Sequence, residues 1–186
     1  MRRALTCGAL LLVLALSGCS DVGDTGANNF ISGEGTVTTI DPADRGEPID
    51  LAGDGLEGEP IDVADWRGKV VVVNVWGAWC PPCRAEQADL VEAAQQTTGA
   101  AQFLGINIRD LAVENSRAFV RNYDVPYPSI YSPDSKALLA FSGTLTPYSV
   151  PSTVILDDQG RVAASIMGSV PSVLTLTGLI EDVAGG

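Results

Sequence analysis

The run Val70–Trp76, with four consecutive valines, leads within a few residues into Trp79-Cys80-Pro81-Pro82-Cys83, and this junction constrains the fold more than any other segment. Near-continuous β-branched and apolar residues predict a central strand buried on both faces, because a strand with one wet face alternates instead. Proline lacks an N–H and has φ preset near −65°, so Pro81 and Pro82 end the strand and suit the first turn of a helix. Over 83–96, Leu90, Val91 and Ala94 recur at helical spacing while Glu86, Asp89 and Glu92 face elsewhere. Two cysteines three apart therefore stand where a buried strand turns into a helix.

The rest of the chain alternates in the same way. Residues 103–108 read as a second buried strand and 112–123 as an amphipathic helix with Val113, Phe119 and Val120 apolar. Residues 129–131 suit a short strand, and Asp134 is placed to cap a short helix over Lys136–Phe141. Residues 153–156 and 161–167, joined by Asp157-Asp158-Gln159-Gly160, read as an antiparallel hairpin. Ser169 and Pro171 open a last helix reaching about Val183. This order predicts one α/β domain over 47–186, a central mixed sheet with helices on both faces.

The first residues read as an address. Met1-Arg2-Arg3 precedes an apolar run that is too short to span a bilayer as a helix but suits a secretory signal. It ends in Leu16-Ser17-Gly18-Cys19, which resembles the bacterial lipobox, so 1–18 are expected to be removed and Cys19 to carry lipid; an ordinary signal peptide with Cys19 incidental is the alternative. Residues 19–46, rich in Gly, Asp, Asn and Thr, read as a flexible acidic tether, with Thr36-Val37-Thr38-Thr39-Ile40 β-branched enough to be an added strand instead.

Composition removes several chemistries. The 186 residues include no His, which excludes Ser-His-Asp and Cys-His catalysis and imidazole-based metal sites. A net charge of −12 argues against nucleic acid as a partner, since phosphate binding needs clustered Lys or Arg. With Cys7 removed and Cys19 lipidated, Cys80 and Cys83 remain, too close to staple a domain. Zinc needs four ligands, and the chain offers no second pair. Two-thiolate Cu(I) binding stays open, but redox exchange is the leading reading. The N-terminus of a helix stabilises a thiolate. Cys80 is then expected at an exposed lip as the nucleophile, with Cys83 shielded one turn in and resolving the mixed disulfide.

The block from Val70 through Trp76-Gly77-Ala78-Trp79-Cys80-Pro81-Pro82-Cys83-Arg84-Ala85-Glu86 resembles the active-site segment of the thioredoxin superfamily, most closely its membrane-anchored TlpA-, ResA- and DsbE-like branch. The resemblance extends over 49–183 and includes Trp66-Arg67-Gly68-Lys69 and Val150-Pro151-Ser152-Thr153. It implies a thioredoxin-like fold with an N-terminal extension and a redox pair at Cys80 and Cys83. It further implies a cis Pro151 whose loop, with Val150, faces the disulfide and offers backbone groups to a substrate strand. Trp79, Pro81 and Pro82 would border that substrate site, with Trp79 packed beside Cys80. Glu86 shares a helix face with Cys83 and is expected to tune its proton; the alternative is a solvated Glu. Asn74 stands where thioredoxin has a buried acid, so thioredoxin's own proton handling does not transfer. Gln87 departs from the branch pattern. Trp76 reads equally as core or functional, and Tyr127 and Tyr148 as packing or surface aromatics.

The resemblance implies a thiol–disulfide oxidoreductase, needing no bound cofactor or metal, monomeric, and lipid-anchored on the outer side of the cytoplasmic membrane. Reduction of apocytochrome c cysteines, fed by a membrane thiol–disulfide carrier, is the expected role, and oxidation of secreted proteins the rival. A thiol peroxidase normally has Thr or Ser three residues before its cysteine, where this chain has Gly77. Copper chaperones of this fold rely on C-x-x-x-C and a His, which are absent.

Overall fold

The structure is a computed structural model that describes residues 30–32, 35–146 and 148–185. The expected signal peptide 1–18 and the lipobox Cys19 lie outside the described residues. In chain order the elements are β1 (Phe30–Ser32), β2 (Gly35–Thr39), β3 (Ala52–Asp54), β4 (Pro60–Asp62), β5 (Val70–Trp76), α1 (Pro81–Gln96), β6 (Ala101–Ile108), α2 (Val113–Asn122), β7 (Ser129–Ser132), β8 (Ser152–Leu156), β9 (Val162–Gly168) and α3 (Val173–Gly185). Two 3₁₀ helices, Val63–Trp66 and Lys136–Phe141, are the remaining elements among the described residues. A seven-stranded sheet runs β1-β2-β9-β8-β5-β6-β7, and β3 and β4 form a separate hairpin. β5, β6 and β7 are parallel; every other neighbour pair is antiparallel.

The valine run is central, as its composition dictates. All seven residues of β5 are buried. Val70 and Val72 pack with Leu90 and Ala93 of α1 and Leu176, Leu179 and Ile180 of α3. Val71, Val73 and Val75 face the opposite way, toward Ile49, Leu51, Ile61, Val63, Leu138 and Phe141. α2 lies on the α1 side, since its Phe119 stacks on Trp76 and its Ser116 bonds Asn107. The mixed sheet thus has its three α-helices on one face, and the other face is closed by the two 3₁₀ helices and the 49–63 segment. Asp134 Oδ1 does accept from Lys136 N at 3.1 Å at the head of the second 3₁₀ helix.

Within the 19–46 segment expected as a tether, the described part is paired with the domain. Gly35–Thr39 pairs with β9 along its length, and Val37 is buried. β-branched Thr-Val-Thr-Thr finds an open antiparallel edge there, so the strand alternative is the one adopted. The chain then stays on the domain. Ile40 N donates to Ala163 O at 2.8 Å, Ile49 N to Gly160 O at 2.9 Å, and Arg45 Nη1 reaches Asp157 Oδ2 at 3.2 Å.

Candidate active site

The parallel register that sets Trp76 beside Asn107, and the antiparallel one that sets Val75 beside Ser152, bring three loops to one end of the sheet. They carry the Cys80 motif, Arg109-Asp110-Leu111, and Tyr148 to Pro151. Cys80 is the N-cap of α1, with Pro81 and Pro82 at the first helical positions. Neither proline has an N–H, so the first amide of the helix free to turn back is that of Cys83, which donates to Cys80 Sγ at 3.2 Å. The two sulfurs form a disulfide.

Cys80 is not at an exposed lip in this oxidised form. It is 2% exposed and Cys83 1%. Leu56, Trp76 and Phe119 pack with the pair, and Val150 lies against the same cluster. The Val150–Pro151 bond is cis, as the resemblance implied, and Pro151 O accepts from Gly168 N at 3.1 Å. Pro81 and Pro82 are exposed.

Glu86 is buried beneath the motif, not solvated. Its Oε1 accepts from Asn74 Nδ2 at 3.0 Å and its Oε2 from Val170 N at 2.8 Å. Loss of hydration pushes its pKa up to about 7, although the Val170 and Asn74 hydrogen bonds oppose the rise; Asp89 adds to it. Asn74 Nδ2 also meets Thr153 Oγ1 at 3.1 Å, and Asn74 Oδ1 is buried without a partner. Gln87 donates to the Tyr127 hydroxyl at 2.9 Å, and burial pushes that phenol up. Tyr148 is exposed.

Trp79 is half-exposed. Its Nε1 donates to Ile108 O at 3.1 Å, and the Arg109 guanidinium sits 4.5 Å from the ring centroid. The ring lies so close over Gly77 that a Cβ there would strike it. A Thr or Ser at 77, as a peroxidatic site requires, does not fit beneath this ring.

Sequence reading missed the support behind the loop. Asp110 Oδ2 accepts from Ala78 N at 2.8 Å, Asn107 Nδ2 at 2.7 Å and Ser116 Oγ at 3.3 Å, tying the Cys80 loop, β6 and α2 together. Tyr131 OH donates to Asp110 O at 2.7 Å. One signal was available: Asn107 interrupts an otherwise apolar buried strand, and a buried amide demands partners.

Residues 41–179 match the Redoxin family. The chain belongs to the redoxin family. This redoxin is 35% identical over 104 residues to the thiol:disulfide interchange protein DsbE of Allochromatium vinosum, covering 55% of this chain and 54% of that one. It is 30% identical over 116 residues to the thiol-disulfide oxidoreductase ResA of Bacillus cereus, covering 61% and 63%. It therefore spans little more than half the length of the first and under two thirds of the second. Among solved structures, a DsbF homologue from Corynebacterium diphtheriae superposes with TM-score 0.75 at 34% identity, over 83% of the redoxin and 98% of that chain. A secreted thiol-disulfide isomerase from Corynebacterium glutamicum gives TM-score 0.75 at 31%, over 87% and 100%. The thioredoxin-like architecture expected from the motif is thus the one observed.

Proposed function

We propose that this redoxin is a thiol–disulfide oxidoreductase acting on protein cysteines, working as a reductant. The observation that carries the reading is the Cys80–Cys83 disulfide at the N-terminus of α1, with Glu86 buried one turn further along the same helix. The relatives named as thiol:disulfide interchange protein and thiol-disulfide oxidoreductase support it.

In the reducing direction, the Cys80 thiolate attacks one sulfur of a partner disulfide and expels the other as a thiolate, which takes up a proton. Cys83 then loses its proton, attacks Cys80 Sγ and releases the partner's second thiolate. The partner gains two electrons and two protons, and Cys80–Cys83 is oxidised. Glu86, with a pKa near 7, is suited to accept the Cys83 proton at working pH. The polarity of the pair supports reduction. With Pro81 and Pro82 unable to donate, a single close amide faces Cys80, and weak thiolate stabilisation keeps a couple reducing, nearer thioredoxin's roughly −270 mV than −120 mV. Trp79, Pro81, Pro82, Val150 and the cis Pro151 border the partner's strand. The role extends to reduction of apocytochrome c by a monomer tethered through lipidated Cys19 on the outer face of the membrane, recharged there by a membrane thiol–disulfide carrier.

Cys83→Ser is expected to trap covalent mixed disulfides and Cys80→Ser to abolish insulin reduction. Alkylation of Cys83 ahead of Cys80 in the reduced protein would reverse the two roles. A potential above about −180 mV in glutathione buffers would instead make the protein an oxidant.

A further inference from the structure

The chain carries −12, yet two exposed cations flank the Cys80 motif: Arg84 in the first turn of α1, and Arg109 stacked on Trp79. Among the described residues, the ion pairs are taken by Arg45, Arg117, Lys136 and Arg161, and neither Arg84 nor Arg109 meets a carboxylate. Arg109 is held by stacking on Trp79, an arrangement that leaves the edge donors of a guanidinium free.

Between this rim and α2 lies a groove of about 500 Å³, lined by Trp79, Arg84, Asn115, Phe119, Asn122 and Tyr123. Phe119 continues from the groove into the cluster around Cys80 and Cys83, and Tyr123 packs on it with ring centroids 4.6 Å apart. Asp110 is the one carboxylate among the lining residues, and its Oδ2 is already occupied by Ala78 N, Asn107 Nδ2 and Ser116 Oγ. Leu111 and Tyr148, on loops at the same end, are 94% and 82% exposed. An aromatic floor with the unpaired Arg84 guanidinium in its lining, and that of Arg109 on the bordering Trp79 ring, complements a segment that is both apolar and anionic.

We propose that this groove docks a partner polypeptide carrying an Asp or Glu close to its reactive cysteine, the carboxylate meeting Arg84 and Arg109 and an apolar neighbour lying on Phe119 and Tyr123. The inference rests on the oxidoreductase reading and gives that site a substrate preference. Long-range repulsion by the acidic protein works against such a partner, so the preference arises on contact, at the groove.

The test uses the reduced full-length chain and one peptide, disulfide-linked to glutathione, made with Glu, Gln or Lys two residues from its cysteine. The Glu peptide is expected to exceed the Gln peptide about fivefold in kcat/KM, the scale of a partly exposed ion pair, with Lys slowest. The advantage should shrink with added salt. It should fall to about one in the Arg84→Gln/Arg109→Gln variant and persist in Arg121→Gln, whose charge lies on α2 outside the groove lining. Equal rates, a preference for Lys, or a Glu preference that survives the double variant each overturn the docking inference while leaving the oxidoreductase reading in place. If no peptide is reduced at all, the reading and the inference fall together.

Discussion

Glu86 joins two demands that ordinarily conflict: it is buried against Asn74 and Val170, and it belongs to a carboxyl that titrates in the middle of the physiological range. Its unfolded value is 4.5 and its folded value about 7. Between these, the folded protein keeps a proton that the unfolded chain has released. The associated stability is therefore complete below about pH 4.5 and is lost as pH rises through about 7, on the order of 3 kcal/mol in all at about 1.4 kcal/mol per unit. Glu86→Gln keeps the shape and cannot ionise. It should melt within a few degrees of the parent at pH 5 and clearly higher at pH 8, by about 2–4 °C for each kcal/mol in a domain of this size. Thermal melts of the oxidised protein at both values check this, and a pH-independent difference would mean that Glu86 stays charged when buried. Asn74 helps explain how both protonation states are accommodated. Its Nδ2 serves the carboxylate, while the unpartnered Oδ1 becomes the acceptor for a protonated Glu86, or for Gln, if the amide turns over.

Two carboxylates far apart in the chain hold the elements together, one at the site and one at the opposite end of the sheet. Asp110 gathers the amide of Ala78 and the side chains of Asn107 and Ser116. Asp110→Ala strands these buried donors, and we expect a loss of about 2–4 kcal/mol in urea unfolding together with faster alkylation of reduced Cys80 as its loop loosens. Unaltered alkylation would confine Asp110 to a packing role. At the opposite end, Asp157 in the β8–β9 turn binds both Arg45 and Arg161. Burial alone would raise its pKa, but hydrogen bonds from the Arg161 amide and side chain, then Arg45, prevail and lower it. Its stabilisation is present above the ordinary carboxylate pKa and lost as pH falls through the lowered one. Asp157→Ala leaves Arg45 buried without a counter-charge and should cost about 3–5 kcal/mol at neutral pH, with the deficit closing in acid melts. Such anchors explain what the sequence could and could not tell. β5 and α1 were legible because valine composition, the Pro pair and a 3.6-residue period all agreed. The β3–β4 hairpin was not, because two three-residue strands among Gly, Asp and Glu carry no period; pairing across Gly53 and Ile61 and packing on Ile130 form it. The Arg45–Asp157 and Ala78–Asp110 contacts join residues 112 and 32 apart, separations over which no local pattern speaks.

Across the whole molecule, β2 serves as a cover. It occupies the open edge of β9 and buries Val37 against the α3 side of the core. A chain beginning at Ile40 would expose that edge as a template for other strands. We expect it to melt several degrees lower and to self-associate with concentration in size-exclusion chromatography, whereas a monomer with unchanged melting would show that β2 is dispensable. The same strand order has a consequence for how the protein is made. β5 sits between β6, its near neighbour in sequence, and β8, which follows Cys83 by about 70 residues. At roughly 5–20 residues per second of synthesis, the two cysteines emerge several seconds before the strand that completes their side of the sheet. During that interval the motif stands at the end of a strand paired on one side only, and the antiparallel half of the platform on which Cys80 and Cys83 react is added afterwards.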